Sequence, residues 1–191
     1  SFIPLGGQLQ KKPKSYFPTV RNLTVRAVHN KKEVALSIHW DDPSLDPELK
    51  KFTDVEESPP PPLPENMKGR RPDAPQEPVA PEYPDAIAVQ FPVSLDKQIP
   101  YFLNGDKHHP VNLWKWSTST NKAVEMNANG LEGWTQQKKS AVRAKGHFSY
   151  GRYSVILKRS LTDDGNDIKF QTDKPIPIAF NIWDGYQEET G

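Results

Sequence analysis

The chain has 191 residues, a formal net charge of +1 and no cysteine. That balance argues against nucleic acid or an anionic membrane surface as a partner, and no run of about 18 apolar residues is present to span a bilayer. The missing thiols exclude disulfides, thiolate metal sites, iron–sulfur ligation and covalent c-type haem attachment.

Residues 1–19 read as an extended N-terminal arm. Pro4, Gly6, Gly7, Pro13 and Pro18 interrupt it, and Lys11, Lys12 and Lys14 solvate it. Phe2, Ile3, Tyr16 and Phe17 give it apolar residues that suit docking on a partner, a frayed terminus being the alternative. A domain over 20–191 follows. Leu23, Val25 and Ala27 alternate with Thr24, Arg26 and Val28. Asn30-Lys31-Lys32 makes a turn, and Val34, Leu36, Ile38 and Trp40 alternate with polar or small residues. This pattern predicts an antiparallel hairpin with one buried face.

Residues 44–84 form a proline-rich insertion inside that domain. Twelve of the 20 prolines fall between Pro43 and Pro84, among them Pro59 to Pro62. Proline lacks an N–H and fixes φ, so the segment favours polyproline II over helix or ladder. It reads as an arm laid on another subunit, with a spacer as the alternative. Neither flank alone has enough strands for a core, which makes it an insertion and not a domain boundary.

The stretch from Asp85 to Ser117 reads as strand, turn, strand. Ile87, Val89 and Phe91 alternate with Ala86, Ala88 and Gln90, and Asn104-Gly105-Asp106 is a turn signal. Tyr101 to Leu103 reads as a strand leading into it. Alternation over 111–117 puts Val111, Leu113 and Lys115 on one face and Asn112, Trp114 and Trp116 on the other. The two Trp rings line either a core or a pocket for a flat ligand. Residues 118–139 read as a polar loop. Further strands are predicted around 141–145, 153–158, 168–170 and 178–183. No segment of ten residues carries a helical apolar repeat. The fold class is all-β, an antiparallel β-sandwich.

No catalytic signature is present: no Gly-x-Ser-x-Gly elbow, no phosphate-binding glycine loop, no dinucleotide fingerprint. The acids fall in turns, where Asp is expected for backbone reasons. His108 and His109 are adjacent, so their side chains diverge and suit one ion poorly.

Several segments recur in a distinctive order: Ile38-His39-Trp40-Asp41-Asp42-Pro43, Asp85 to Pro92, Phe102-Leu103-Asn104-Gly105-Asp106, Val111 to Trp116, Gly151-Arg152-Tyr153, and Ala179 to Gly185. Together they resemble the ethylbenzene-dehydrogenase-type haem b domain. That family forms γ subunits of extracytoplasmic molybdenum oxidoreductases in the dimethyl-sulfoxide-reductase superfamily. The resemblance implies a β-sandwich holding one non-covalent haem b. It also implies a non-catalytic electron-transfer role beside a molybdenum catalytic subunit and an iron–sulfur subunit, with a soluble cytochrome-type partner. An extracytoplasmic location after removal of an export signal goes with it, and a nitrite- or nitrate-linked complex is favoured.

In that family the iron is held by a Met and a Lys. This sequence departs at the Met position, which is Asn104. An amide oxygen is a harder, weaker donor than a thioether, so ligation by Asn104 implies a lower potential. Met126 is the alternative ligand, and Met67 a more distant one. Lys169, flanked by Ile168 and Phe170, is the first candidate for the lysine, with Lys145 and Lys158 behind it. A ligating Lys must be neutral, which requires a dry site. Trp114 and Trp116 are expected to stack near the macrocycle or to fill the core, and Arg152 or Arg159 to pair with propionates. Two other functions remain: a carbohydrate-binding sandwich using Trp114, Trp116 and Trp134, and a structural subunit that has lost its haem.

Overall fold

The computed structural model describes residues 1–7, 16–46, 83–95, 98–131, 133–162, 168–187 and 189. Two five-stranded antiparallel sheets make up the fold. The first has the order β1 (Phe2–Pro4), β2 (Asn22–His29), β3 (Glu33–Asp41), β9 (Arg152–Ser160), β8 (Arg143–Ser149). The second has the order β10 (Ala179–Trp183), β4 (Ala86–Pro92), β5 (Val111–Ser117), β6 (Lys122–Ala128), β7 (Trp134–Gln136). No helix among the described residues is long and apolar enough to cross a membrane.

The hairpin of β2 and β3 closes where alternation places it. Asn30 Oδ1 accepts the N–H groups of Lys32 and Glu33, both at 2.7 Å, the Asx chemistry that suits Asn to a turn. On β3, Val34, Leu36, Ile38 and Trp40 are buried and face the second sheet. Tyr153, Val155 and Leu157 join them from β9, and Ile87, Val89, Phe91, Trp114 and Trp116 meet them from β4 and β5. Trp40 stacks on Tyr153 at 4.8 Å between ring centroids and meets Trp116 edge-on at 6.3 Å. Truncating one of these rings to Ala would cost about 3–5 kcal/mol.

A charged network crosses this core. Arg159 donates to Glu125 Oε1 at 2.6 Å and to the Ile168 carbonyl at 3.1 Å, both side chains being fully enclosed. Trp114 Nε1–H donates to Asn112 Oδ1 at 2.8 Å.

Four segments differ from the sequence reading. The arm begins as a strand, since Phe2–Pro4 pairs with Asn22–Thr24 of β2; residues 8–15 lie outside the described part. The polar stretch 118–139 contains β6 and β7. Its alternation is disguised because Glu125 takes a core position, where Arg159 compensates its charge. Finally, 101–104 is a turn and 168–170 is a loop. Ile168 is buried there and Phe170 packs on Phe91 at 5.3 Å, but no ladder forms.

The insertion springs from between the two sheets. Its described ends meet: Asp85 donates its N–H to the Asp46 carbonyl at 3.2 Å, and Asp46 donates to Asp85 Oδ2 at 2.9 Å. Thr118 Oγ1 also donates to the Asp46 carbonyl, at 2.7 Å. Residues 47–82 lie outside the described part, Met67 among them.

Candidate cofactor site

The centre of the second sheet, β4 and most of β5, is buried on both faces. Every residue of β4 is buried, which alternation alone explains only if both sides are covered. Ile87, Val89 and Phe91 point into the sandwich, so Ala86, Ala88 and Gln90 point outward. In the ladder Ala88 lies between Asn181 and Lys115, and Gln90 between Ala179 and Leu113. Leu113 in turn faces Met126 on β6. Val111, Leu113, Met126 and Ala128 form a second apolar cluster on this outer face.

Above that face is a cavity of about 560 Å³, bordered by Ala88, Leu113, Lys115 and Met126 of the sheet. This lies within the size range of cofactor and ligand sites. Ile3, Leu5, Phe17 and Val20 contribute from the N-terminal segment, Phe102 to Asn104 from the turn, and Phe180 to Trp183 from β10 and its edge. The lining is mainly apolar. Its polar side chains are few: Asn104, Lys115, Asn181, Gln187 and Glu189. A flat apolar macrocycle with polar margins suits such a lining.

Gln90 fixes the turn that carries Asn104. Its Nε2 donates to the Tyr101 carbonyl at 2.8 Å, and its Oε1 accepts the Asn104 N–H at 2.8 Å. Gly105 N–H donates to the Tyr101 carbonyl at 3.0 Å, and Gly130 N–H to the Asn104 carbonyl at 2.9 Å. Asn104 has φ of +61°, a conformation that Asn tolerates better than most residues. Both of its backbone polar groups are thus engaged. Asn104 borders the cavity, and its carboxamide makes no hydrogen bond among the described residues.

The other residues singled out in the sequence separate into two groups. Met126, 5% exposed, borders the cavity from its apolar floor. Trp114 and Trp116 do not border it: they belong to the opposite face of β5 and fill the core, with Trp116 Nε1–H donating to Asn121 at 3.0 Å. Lys169 is exposed on the loop after Ile168, because no strand forms to turn it inward. Lys145 is exposed on β8 of the first sheet, and Lys158 on β9 pairs with Glu33 at 2.8 Å. Arg152 is 62% exposed and pairs with Asp41 at 2.7 Å, and Arg159 is held by Glu125 in the core. Lys169, Lys145, Lys158, Arg152 and Arg159 are all outside the cavity lining.

Sequence reasoning missed Lys115. Its ammonium lies 4.8 Å from the centroid of the Trp183 ring, a cation–π distance. The signal was present in β5: Val111 and Leu113 on one face oppose Trp114 and Trp116 on the other, so Lys115 had to share an apolar face, where it is half-buried.

Residues 1–141 match the family described as Ethylbenzene dehydrogenase. The chain belongs to the ethylbenzene dehydrogenase family. The matched span takes in β1 to β7, hence the cavity floor and the Asn104 turn. Two curated relatives agree with it. A Haloferax mediterranei protein bearing the name of a respiratory nitrate reductase haem subunit is 32% identical over 109 residues, covering 56% of this chain and 39% of the relative. The dimethylsulfide dehydrogenase subunit gamma of Rhodovulum sulfidophilum is 26% identical over 108 residues, covering 53% and 40%. The chain therefore spans about two fifths of the length of these two relatives.

Proposed function

We propose that this chain holds one b-type haem in the cavity over the second sheet. On this reading it is the electron-transfer γ subunit of an extracytoplasmic molybdenum oxidoreductase. The observation that carries the reading is a cavity of about 560 Å³ over the doubly buried strand β4, lined mostly by apolar residues and bordered by Asn104 on a turn that Gln90 fixes. Family membership and a relative named as a haem subunit support it. Bound there, the haem supplies a one-electron couple.

The protein's own residues then divide the work. Ala88 leaves room over the sheet, while Leu113 and Met126 give an apolar floor that excludes water. Asn104 presents its amide oxygen from a turn fixed by Gln90. Lys115, the one lysine among the described residues lining the cavity, is suited to a carboxylate of the ligand. Partners on this reading are a molybdenum catalytic subunit, an iron–sulfur subunit and a soluble cytochrome-type electron carrier. A nitrate- or nitrite-linked complex is favoured, by the name of one relative.

The burial of Trp114 and Trp116 removes two of the three rings that a sugar-binding platform would use. The experiment is a visible spectrum of the purified full-length protein with a pyridine-haemochrome assay. A b-type Soret band at one equivalent is expected. A protein that stays colourless after haem is added overturns the reading.

A further inference from the structure

We propose that Asp42, Asp85 and Asp184 form a binding site for one calcium-class divalent cation, where the strand ends of both sheets converge. Asp42 follows β3, Asp85 precedes β4 and Asp184 follows β10. A ligand oxygen from each lies within 4.8 Å of the others. Oxygens on opposite sides of a Ca²⁺ ion are separated by about 4.6–5.2 Å, given Ca–O distances of 2.3–2.6 Å, so one ion can reach all three. The donors are hard carboxylate oxygens, the class that such a cation selects.

All three residues are at most 1% exposed. One oxygen of each outer member is already used: Asp42 Oδ1 accepts the Ser44 N–H at 3.1 Å, and Asp184 Oδ1 accepts the Tyr186 N–H at 2.9 Å. The other oxygen of each, Asp42 Oδ2 and Asp184 Oδ2, is buried with no hydrogen-bond partner among the described residues. Asp85 is held between them by Gly185 N–H at 2.8 Å, Asp46 N–H at 2.9 Å and the Tyr153 hydroxyl. Among the described residues no Lys, Arg or His forms an ion pair with any of the three.

Three enclosed carboxylates without a basic partner among the described residues repel one another strongly. Burial, followed by the charges of Asp85 and Asp184, pushes the Asp42 carboxyl up to about 6. Two orphan oxygens beside a third carboxylate supply what an oxygen-seeking cation needs, with carbonyls or water completing six to eight ligands. Such an ion would tie β3 of one sheet to β4 and β10 of the other. None of the three carboxylates borders the haem cavity, so the Soret band of the same samples reports separately on that site.

The test uses the full-length, haem-loaded protein, dialysed against a chelator at pH 7.5. Adding millimolar CaCl₂ should raise the unfolding temperature by about 5 °C or more. Terbium should give luminescence sensitised by Tyr153 and Trp40, and calcium should displace it. Asp42→Asn and Asp184→Asn each remove a charge from the repelling cluster. Both variants should fold without calcium and lose the calcium-induced shift at least tenfold in affinity. No calcium shift and no terbium emission in the wild-type protein would overturn the proposal. An undiminished shift in both variants, or an equal shift with MgCl₂, would also overturn it.

Discussion

Asn104 combines two properties that substitutions can separate. Its backbone occupies φ of +61° while the residue borders the cavity. Glycine accepts that conformation freely, whereas alanine costs about 1 kcal/mol there. Asn104→Gly should therefore leave the unfolding temperature near that of the parent and still change the haem spectrum. A spectrum unchanged in Asn104→Gly would remove this side chain from the coordination sphere. Asn104→Met replaces a hard oxygen donor with a thioether, so a redox titration should show the midpoint rising, on the order of 100 mV. Met126→Leu keeps the volume of the floor and should move neither reading.

The same scale governs the acid cluster. The folded Asp42 carboxyl titrates near 6 instead of the usual 3.8. Between those values the native state binds more protons than the unfolded one, so this group's contribution to stability falls as pH rises through the window. In calcium-free protein, Asp42→Asn should unfold at a higher temperature than wild type at pH 7.5. The advantage should shrink as pH falls below about 6 and be gone near 4, as thermal melts across pH would show. None of this was legible in sequence. Asp42, Asp85 and Asp184 read as turn acids, and only the convergence of three strand ends from two sheets makes them one cluster.

At the level of elements, the strands that were legible are those that send large apolar side chains to one face at alternate positions. Alternation located β2, β3, β4, β5, β9 and β10 because one face of each sends aliphatic or aromatic residues into the sandwich. It failed at β6, where the inward residue is Glu125 and the outward one is Met126. A single strand cannot announce that its charge will be neutralised by Arg159, contributed by β9 of the other sheet. It failed again at Lys169, because an apolar pair two residues apart fits a strand equally well as a loop that buries Ile168. The family pattern singled out Asn104, which borders the cavity, but not Lys115, which borders it too. Removing one partner of the Arg159–Glu125 pair leaves a buried charge uncompensated, so Glu125→Ala should cost about 3–5 kcal/mol in urea unfolding. Replacing both with apolar residues of similar size should recover much of that loss. Equal destabilisation of the single and double variants would show that the pair does not act as a unit.

On the scale of the whole molecule, the proline-rich insertion leaves and re-enters the sandwich at one point. Asp46 and Asp85 bond to each other directly, and Thr118 of the second sheet holds the same carbonyl. These bonds join the segment after β3 of the first sheet directly to the start of β4 and to the loop after β5 in the second. Closing a loop costs roughly (3/2)RT ln n, so replacing those residues with a four-residue Gly-Ser link should lower the closure cost by about 2 kcal/mol. The shortened protein should unfold at the same temperature or higher and keep its Soret band. If the insertion is an arm laid on a neighbouring subunit, its loss should appear elsewhere, as failure to co-purify with the catalytic and iron–sulfur subunits. Composition favours that role: proline-rich sequence has little conformational entropy to lose when it docks. Full assembly of the complex with the shortened protein would leave the insertion as a spacer. Loss of the sandwich itself would mean that contacts made by residues 47–82, and not the junction at Asp46 and Asp85, hold the two sheets in register.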